Sequence, residues 1–440
     1  MYENKNLPYH LVDPEVVAVY GVVPDLPERA GTLIYQRLER EGHKVLAVNP
    51  KEKNLLSGLG DTSEKIDLAI LAVSNRHLEP ALNDCITKEV KSVLVFSDYI
   101  IPKKIKGDGP RILGPNSLGF FKPDTHLDTM FVSQDVLNRP GPGNIGMISQ
   151  SGFIALPLFE ALSARSLGIS LFIDVGSKYD IDEIDALSYL REDEATDVIA
   201  LYLEDMDNGR VLYECAREMK KSMVLLKGGR TKQTSEAVKS HTGTISQGSD
   251  TVLKGAAKQS GIVIARDESE FVDFAVALSR NRSLMDNKIA VISTSGATGV
   301  VGADAVALSS TLALSELSDE TVRTIKNNIP FIERENNPID LSPRVNNREY
   351  SEILRILVEA EEVSGVMAYL SSSPNMTKEA AEGIQRIYES TDKPMIFVFL
   401  GEIFSGGWRK EFFRRGMDTY PSTRSAVRVL EALLRSVEHV

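Results

Sequence analysis

The sequence predicts an α/β protein built from three doubly wound units in series. Short apolar runs rich in Val, Ile and Leu recur along the chain, stretches with helical amphipathic spacing separate them, and the rhythm breaks twice and restarts. Near-continuous apolar runs of this length suit strands buried on both faces, as parallel sheets with helical crossovers require. In the first third the pattern predicts strands at Val16–Gly21, Lys44–Val48, Asp67–Val73, Ser92–Phe96 and Arg111–Leu113, with helices at Glu28–Glu41 and His77–Lys88.

From Asp124 to Asn144 the periodicity fails. Arg139-Pro140-Gly141-Pro142-Gly143 is expected to hold neither helix nor strand. A linker over 126–143 therefore separates a first domain, 1–125, from a second, 144–282. There the strands are expected at Ile145–Ser149, Ile169–Asp174, Val198–Leu203, Met223–Lys227 and Ile262–Ala265, with helices at Gly152–Ser166 and Gly209–Lys220. A short polar break, Asn281 to Asn287, precedes the third domain, 288–440. Its expected strands are Lys288–Ser293, Gly365–Tyr369 and Pro394–Leu400, and its helices lie near Val300–Ser309, Glu349–Ala360 and Arg424–Val437.

The 440 residues, 42% of them apolar, suffice for two to four cores. Lysine and arginine number 50 against 62 acidic residues, so the formal charge is 50 − 62 = −12, and no basic block occurs. Nucleic acid is thereby excluded as an expected partner, because its binding draws most of its strength from phosphate neutralisation. Cys85 and Cys215 form no Cys-x-x-Cys pair, which fits a reducing cytoplasm without structural zinc. No leader-like start and no apolar run of about 18 residues appears, so neither export nor a membrane span is expected.

In open α/β sheets ligands collect at the carboxyl ends of strands, where helix N-termini favour anions. Ser149-Gln150-Ser151-Gly152 follows such a strand and opens a helix, and its small hydroxyl residues and glycine suit a phosphate cradle or a plain N-cap. Glu204 ends another strand. Gly228-Gly229-Arg230-Thr231 and Ser240-His241-Thr242-Gly243 lie in the polar loop after the strand Met223–Lys227, at the same sheet edge. A histidine, a carboxylate and an anion-binding helix end are the parts of a phosphohistidine site: the imidazole attacks phosphorus, the carboxylate fixes its tautomer, and the helix end holds the phosphoryl oxygens.

These pieces, with Asp180-Ile181-Asp182-Glu183-Ile184-Asp185 between them, carry a resemblance to the NDP-forming acyl-CoA synthetases, relatives of succinyl-CoA synthetase. The resemblance implies that His241 is phosphorylated, that Glu204 pairs with it, and that the helix opened by Ser151-Gly152 holds phosphate. It extends to Asn49-Pro50-Lys51 and Gly114-Pro115-Asn116-Ser117-Leu118-Gly119, landmarks of a Rossmann-like CoA-binding domain, in which Gly21, Lys51, Val73, Ser74 and Asn116 would contact CoA. The second and third domains resemble flavodoxin-like domains of the succinyl-CoA synthetase type. In the third, Ser295-Gly296 would open a second phosphate-facing helix, and Asn337-Pro338-Ile339-Asp340 matches a further landmark.

The chain departs from the family pattern at the acidic turn Gly21-Val22-Val23-Pro24-Asp25-Leu26-Pro27-Glu28, at Ser97-Asp98-Tyr99-Ile100-Ile101-Pro102, and at Ser177. The implied function is a synthetase subunit of α type that interconverts acyl-CoA, ADP and phosphate with free acid, CoA and ATP. ADP or ATP with Mg2+ would bind an ATP-grasp β partner in a heterotetramer, because the three units leave no region for an ATP-grasp fold. A CoA-binding regulatory or scaffold subunit is the rival reading. A Rossmann oxidoreductase is the third, and it lacks the Gly-x-Gly-x-x-Gly fingerprint.

Overall fold

The computed structural model describes residues 6–98, 101, 109–231, 233, 234, 249–370 and 376–435. They form three sheets. The first holds β1 (Val16–Tyr20), β2 (Lys44–Val48), β3 (Leu68–Leu71), β4 (Ser92–Val95) and β5 (Arg111–Leu113), all parallel, in the order β2-β1-β3-β4-β5. The second holds β6 (Phe120–Lys122), β7 (Leu127–Asp128), β8 (Pro142–Ser149), β9 (Ile169–Asp174), β10 (Val198–Leu203), β11 (Ser222–Lys227) and β12 (Val263–Ala265). Its order is β12-β11-β10-β8-β9-β6-β7, parallel as far as β9 and antiparallel beyond. The third contains β13 (Lys288–Ser293), β14 (Ala313–Leu314), β15 (Ile339–Asp340), β16 (Gly365–Tyr369), β17 (Met395–Val398) and β18 (Thr419–Tyr420). It runs β14-β13-β16-β17-β18, with β15 paired to β13.

Numbered within its own parallel part, each sheet has the flavodoxin-like order 2-1-3-4-5. Each is therefore doubly wound about its first strand and has one crevice where the winding reverses, between the first and third strands. The crevices fall at β1/β3, β8/β10 and β13/β16.

Two compact units result, one of residues 1–163 with 167–271 and one of 164–166 with 272–440. In the first unit, alternation along β1 sends Val17 and Val19 to one face and Val16, Ala18 and Tyr20 to the other. The first face joins Ile34 and Leu38 of the helix Ala30–Arg40 in a core that continues through Leu113 and Phe120 to Ile148, Ile173 and Leu201. The opposite face packs on Leu78, Leu82 and Cys85 of the helix Asn75–Thr87. The second unit has its own core around Ile292, Ile353, Leu357, Ala368 and Phe397.

Two expectations about the segment before residue 144 are corrected. Phe120–Lys122 and Leu127–Asp128 are strands of the second sheet, so the chain has left the first sheet before residue 125. The Pro/Gly stretch does hold a strand, since β8 begins at Pro142 and carries a register shift before Ile145. Glycine makes that start possible: a Cβ on Gly143 would sit 2.3 Å from the Gly168 carbonyl carbon. Strands as short as β6, β7, β14, β15 and β18 are too brief for a periodic signal.

A buried ionic cluster ties the helix Ala30–Arg40 to β7 of the second sheet. Asp128 accepts from Arg37 at 3.0 Å and from Arg139 Nε at 3.0 Å, with all three side chains buried. The guanidinium groups also donate to carbonyls: Arg37 to Met130 at 2.6 Å, and both arginines to Val132. Removing one partner of a buried ion pair strands the other charge in a medium that solvates it poorly. Asp128→Asn should therefore destabilise the fold by about 3 kcal/mol, measured as a lowered urea midpoint at unchanged slope. A loss under about 0.5 kcal/mol would show that water solvates these arginines after all.

Candidate functional site

At the β8/β10 crevice the ladder ends where Ser149 pairs with Tyr202. Beyond it, Ser151 and Gly152 lead into a short 3-10 turn, Gly152–Ile154, and the helix Ala155–Ala164. A Cβ on Gly152 would lie 2.4 Å from the Leu118 Cβ, so only glycine lets this helix start dock there. Ser149 Oγ accepts the Ser151 N–H at 3.2 Å and donates to the Ser151 carbonyl at 2.6 Å. The Ser151 hydroxyl makes no cap bond, so the plain N-cap reading does not hold. The third sheet repeats the design at β13/β16. Ser293 Oγ accepts the Ser295 N–H at 3.0 Å, the Ser295 hydroxyl does not cap, and Gly296 opens the helix Gly296–Ala307.

Glu204 stands beside the first of these turns and is 4% exposed. What brings it there is Gln150, whose side-chain oxygen accepts the N–H groups of Glu204 at 2.8 Å and Asp205 at 3.2 Å. The Gln150 amide nitrogen donates to Asp205 Oδ2 at 2.7 Å, and its backbone N–H donates to the Tyr202 carbonyl at 3.0 Å. Lys227, at the end of β11, donates to the Glu204 carbonyl at 2.7 Å and to the Gly228 carbonyl. Burial drives the Lys227 ammonium down to about 8, and the charges of Asp205 and Glu204 offset only part of that. Lys178 donates to Asp205 and lies 3.2 Å from Glu183 Oε2. Burial opposes its charge, but the two carboxylates outweigh that and raise its pKa.

At the β1/β3 crevice Gly21 adopts φ +85°, and a Cβ there would lie 2.2 Å from the Ala72 carbonyl oxygen. Asn49 Nδ2 donates to the Val22 carbonyl at 2.8 Å, and Asn49 Oδ1 accepts the Lys51 N–H at 3.1 Å. Those bonds place the exposed Lys51 beside the turn after β1. Val73 and Ser74 follow β3, with Ser74 preceding the helix Asn75–Thr87 and forming no side-chain cap. Asn116 is not gathered here. It follows β5, three strands from β1 or roughly 14 Å along the sheet, and has φ 56°. Its neighbours bind the loop after β9: Leu118 N–H donates to Asp174 Oδ2 at 2.6 Å, and Ser177 N–H to the Pro115 carbonyl at 2.9 Å.

His241 and its Ser240–Gly243 loop lie outside the described residues. Sequence reasoning assigned no role to Gln150, Lys178, Tyr202 or Lys227, although Gln150 stands within the Ser149–Gly152 motif and Tyr202 and Lys227 fall in expected strands. The available signal was a long amide between two serines at a strand end, and basic residues at strand ends in an otherwise apolar setting.

Comparison with known proteins agrees with this geometry. Residues 15–121 match the CoA binding domain model, and residues 142–278 match the succinyl-CoA ligase like flavodoxin domain model. The chain is 28% identical to the α subunit of acetate–CoA ligase [ADP-forming] I of Pyrococcus furiosus, over 97% of this chain and 96% of that one. It is 30% identical to acetate–CoA ligase [ADP-forming] I of Archaeoglobus fulgidus, over 84% of this chain but only 56% of that protein. Among solved structures, the dinucleotide-forming acetyl-coenzyme A synthetase 1 of Ca. Korarchaeum cryptofilum, in complex with phosphate and ADP, superposes with a TM-score of 0.88. That match has 26% identity over 98% of this chain and 97% of that chain.

The first sheet thus matches the CoA binding domain, and the second, with its serine-glycine turn, matches the flavodoxin-like domain of succinyl-CoA ligases. Along nearly its whole length the chain is similar to α subunits of ADP-forming acetate–CoA ligases.

The folded state sheds the Lys227 proton before the unfolded chain does. Folding should therefore gain stability as pH rises from about 8 towards the ordinary lysine value of ~10.4. NMR titration of isotopically labelled lysines should show one ammonium titrating near 8, with that signal missing in Lys227→Arg. Uniform titration in the ordinary range would refute the burial of this charge.

Proposed function

We propose that this chain is the α-type subunit of an acyl-CoA synthetase (ADP- or NDP-forming), interconverting acyl-CoA, ADP and phosphate with free acid, CoA and ATP. The observation that carries the reading is the placement of buried Glu204 at the same crevice as the Ser151-Gly152 turn, on the strand beside the one that leads into the His241 loop. In the forward direction a phosphate oxygen attacks the thioester carbonyl, the C–S bond breaks, and CoA leaves as an acyl phosphate forms. The His241 imidazole then attacks phosphorus, the bond to the acyl oxygen breaks, and the free acid departs. The phosphohistidine finally passes its phosphoryl group to ADP.

The helix N-terminus at Ser151-Gly152 supplies N–H groups for the phosphoryl oxygens, Glu204 fixes the imidazole tautomer, and Ser295-Gly296 opens a second candidate phosphate turn within its own unit. CoA would lie at the β1/β3 crevice against Gly21, Val73 and Ser74, with Lys51 as a point charge for a phosphate. Asn116 would contribute from the β5 end.

The nucleotide, with Mg2+ neutralising its charge, is assigned to an ATP-grasp β subunit, with two copies of each chain in the cytoplasm. The naming of the Pyrococcus relatives as α subunits supports a second chain. This chain spans about half the length of the Archaeoglobus relatives. Among the described residues, no helix is long and apolar enough to cross a membrane.

A CoA-binding scaffold is the second reading, favoured by the exposed turn Pro24–Glu28 with its two carboxylates. The burial of Glu204 counts against it, because a scaffold has no use for a carboxylate whose desolvation costs stability.

Incubated with radiolabelled acetyl phosphate, the chain should acquire acid-labile phosphate that His241→Asn cannot. Glu204→Gln should slow the labelling by about 10²–10³-fold. Label that persists in the His241 variant would dismiss the assignment. The labelled chain alone should not form ATP from ADP, and discharge should begin only when an ATP-grasp partner is added. Robust ATP formation from acyl-CoA, ADP and phosphate by the single chain would contradict the division of labour.

A further inference from the structure

Glu204 has its main chain fixed from both sides. Its N–H is held by Gln150 at 2.8 Å and its carbonyl by Lys227 at 2.7 Å, which ties the end of β10 to the strands on either side. The side-chain torsions remain, and freezing them costs a long glutamate side chain conformational entropy. A carboxylate that must orient an imidazole needs a second anchor.

The structure supplies one. Tyr202 and Glu204 are two residues apart, so both side chains leave the extended chain on the same face. The Tyr202 hydroxyl donates to Glu204 Oε1 at 3.0 Å. Tyr202 is itself held, because its carbonyl accepts from Gln150 N–H at 3.0 Å and its backbone lies in register between Ser149 and Leu226.

We infer that Tyr202 is a positioning residue for the phosphohistidine step, its phenol setting the direction of the Glu204 carboxylate. This rests on the assignment of Glu204 as the partner of His241. Tyr202 cannot substitute for Glu204 and acts only through it. Burial raises the phenol's pKa, and the Glu204 charge raises it further, with a smaller contribution from Glu268 on the helix Glu268–Ser279. The hydroxyl therefore keeps its proton and remains a donor at neutral pH. Among the described residues, Lys227 at the end of β11, Arg230 beyond it, Lys178 with Glu183 after β9, and Asp205 also bring charge to this edge. These cations attract the carboxylate but do not set its angle, whereas a hydrogen bond is directional.

The test is a double-mutant cycle on labelling by radiolabelled acetyl phosphate, with circular dichroism and thermal midpoints confirming that each full-length variant is folded. Tyr202→Phe keeps the ring and loses only the hydroxyl. It should slow labelling at saturating acetyl phosphate by roughly tenfold or more, the effect of a hydrogen bond to a charged group, and leave the half-saturating concentration unchanged. In a Glu204→Gln background the same substitution should change the rate by less than about twofold, since paired residues are non-additive when one acts through the other.

Wild-type labelling by Tyr202→Phe overturns the proposal. So does an equal slowing in both backgrounds, which would mean that Tyr202 acts independently of Glu204. Persistent labelling of His241→Asn would instead remove the phosphohistidine assignment and this inference with it. An unlabelled His241→Asn beside a wild-type Tyr202→Phe would remove the role of Tyr202 alone.

Discussion

The hydrogen bonds of one amide side chain hold the candidate site together. The β8/β10 ladder stops at the pairing of Ser149 with Tyr202, and past that point two parallel strands in a twisted sheet diverge. Gln150 extends the ladder by one residue. Its side chain reproduces what a peptide group would have done, accepting two N–H groups and donating to a carboxylate. Without that bridge the Glu204–Asp205 segment would need water to satisfy its N–H groups, and a buried carboxylate on a mobile segment could not present one geometry.

The bridge works because its surroundings are charged in a balanced way. Lys178 and Lys227 are buried beside Glu183, Glu204 and Asp205, so cations and carboxylates answer each other at short range. Such a cluster is expensive to desolvate and adds little net stability compared with an apolar one. Its benefit lies in placement, because each charge limits where its neighbours can sit. The cluster around Asp128 does the same at a structural location: Arg37 and Arg139 anchor the chain as it passes from the first sheet to the second, where carbonyls of Met130 and Val132 would otherwise lack donors.

The same local design appears at two crevices. Ser149-Gln150-Ser151-Gly152 and Ser293-Thr294-Ser295-Gly296 both let the first serine accept the N–H of the second, bending the chain so that the next helix begins with uncapped N–H groups. Only the first turn carries a glutamine between its serines. The second has Thr294 in that position. Both turns lie beside a carboxylate, Glu204 at the first and, at the second, Asp340, whose Oδ2 would be 2.7 Å from a Cβ on Gly296; they differ in what holds it.

By itself, the sequence determined the longer strands of the parallel sheets. The runs Lys44–Val48, Ile169–Asp174, Val198–Leu203 and Lys288–Ser293 are continuous enough to be read without knowing their neighbours, and all four are strands with those bounds. It also determined the serine-glycine turns and the carboxylate at a strand end, because capping and phosphate chemistry need particular residue types at short spacing. Tertiary structure decided what depends on partners far along the chain. β8 begins at Pro142 because Gly143 meets Gly168 across the sheet, and no local pattern announces a contact between residues that far apart. Gln150, Lys178, Tyr202 and Lys227 are ordinary polar residues in sequence. They acquire roles because the 2-1-3-4-5 winding brings the ends of four strands to one edge, where water is excluded and every polar group must find a partner in the protein.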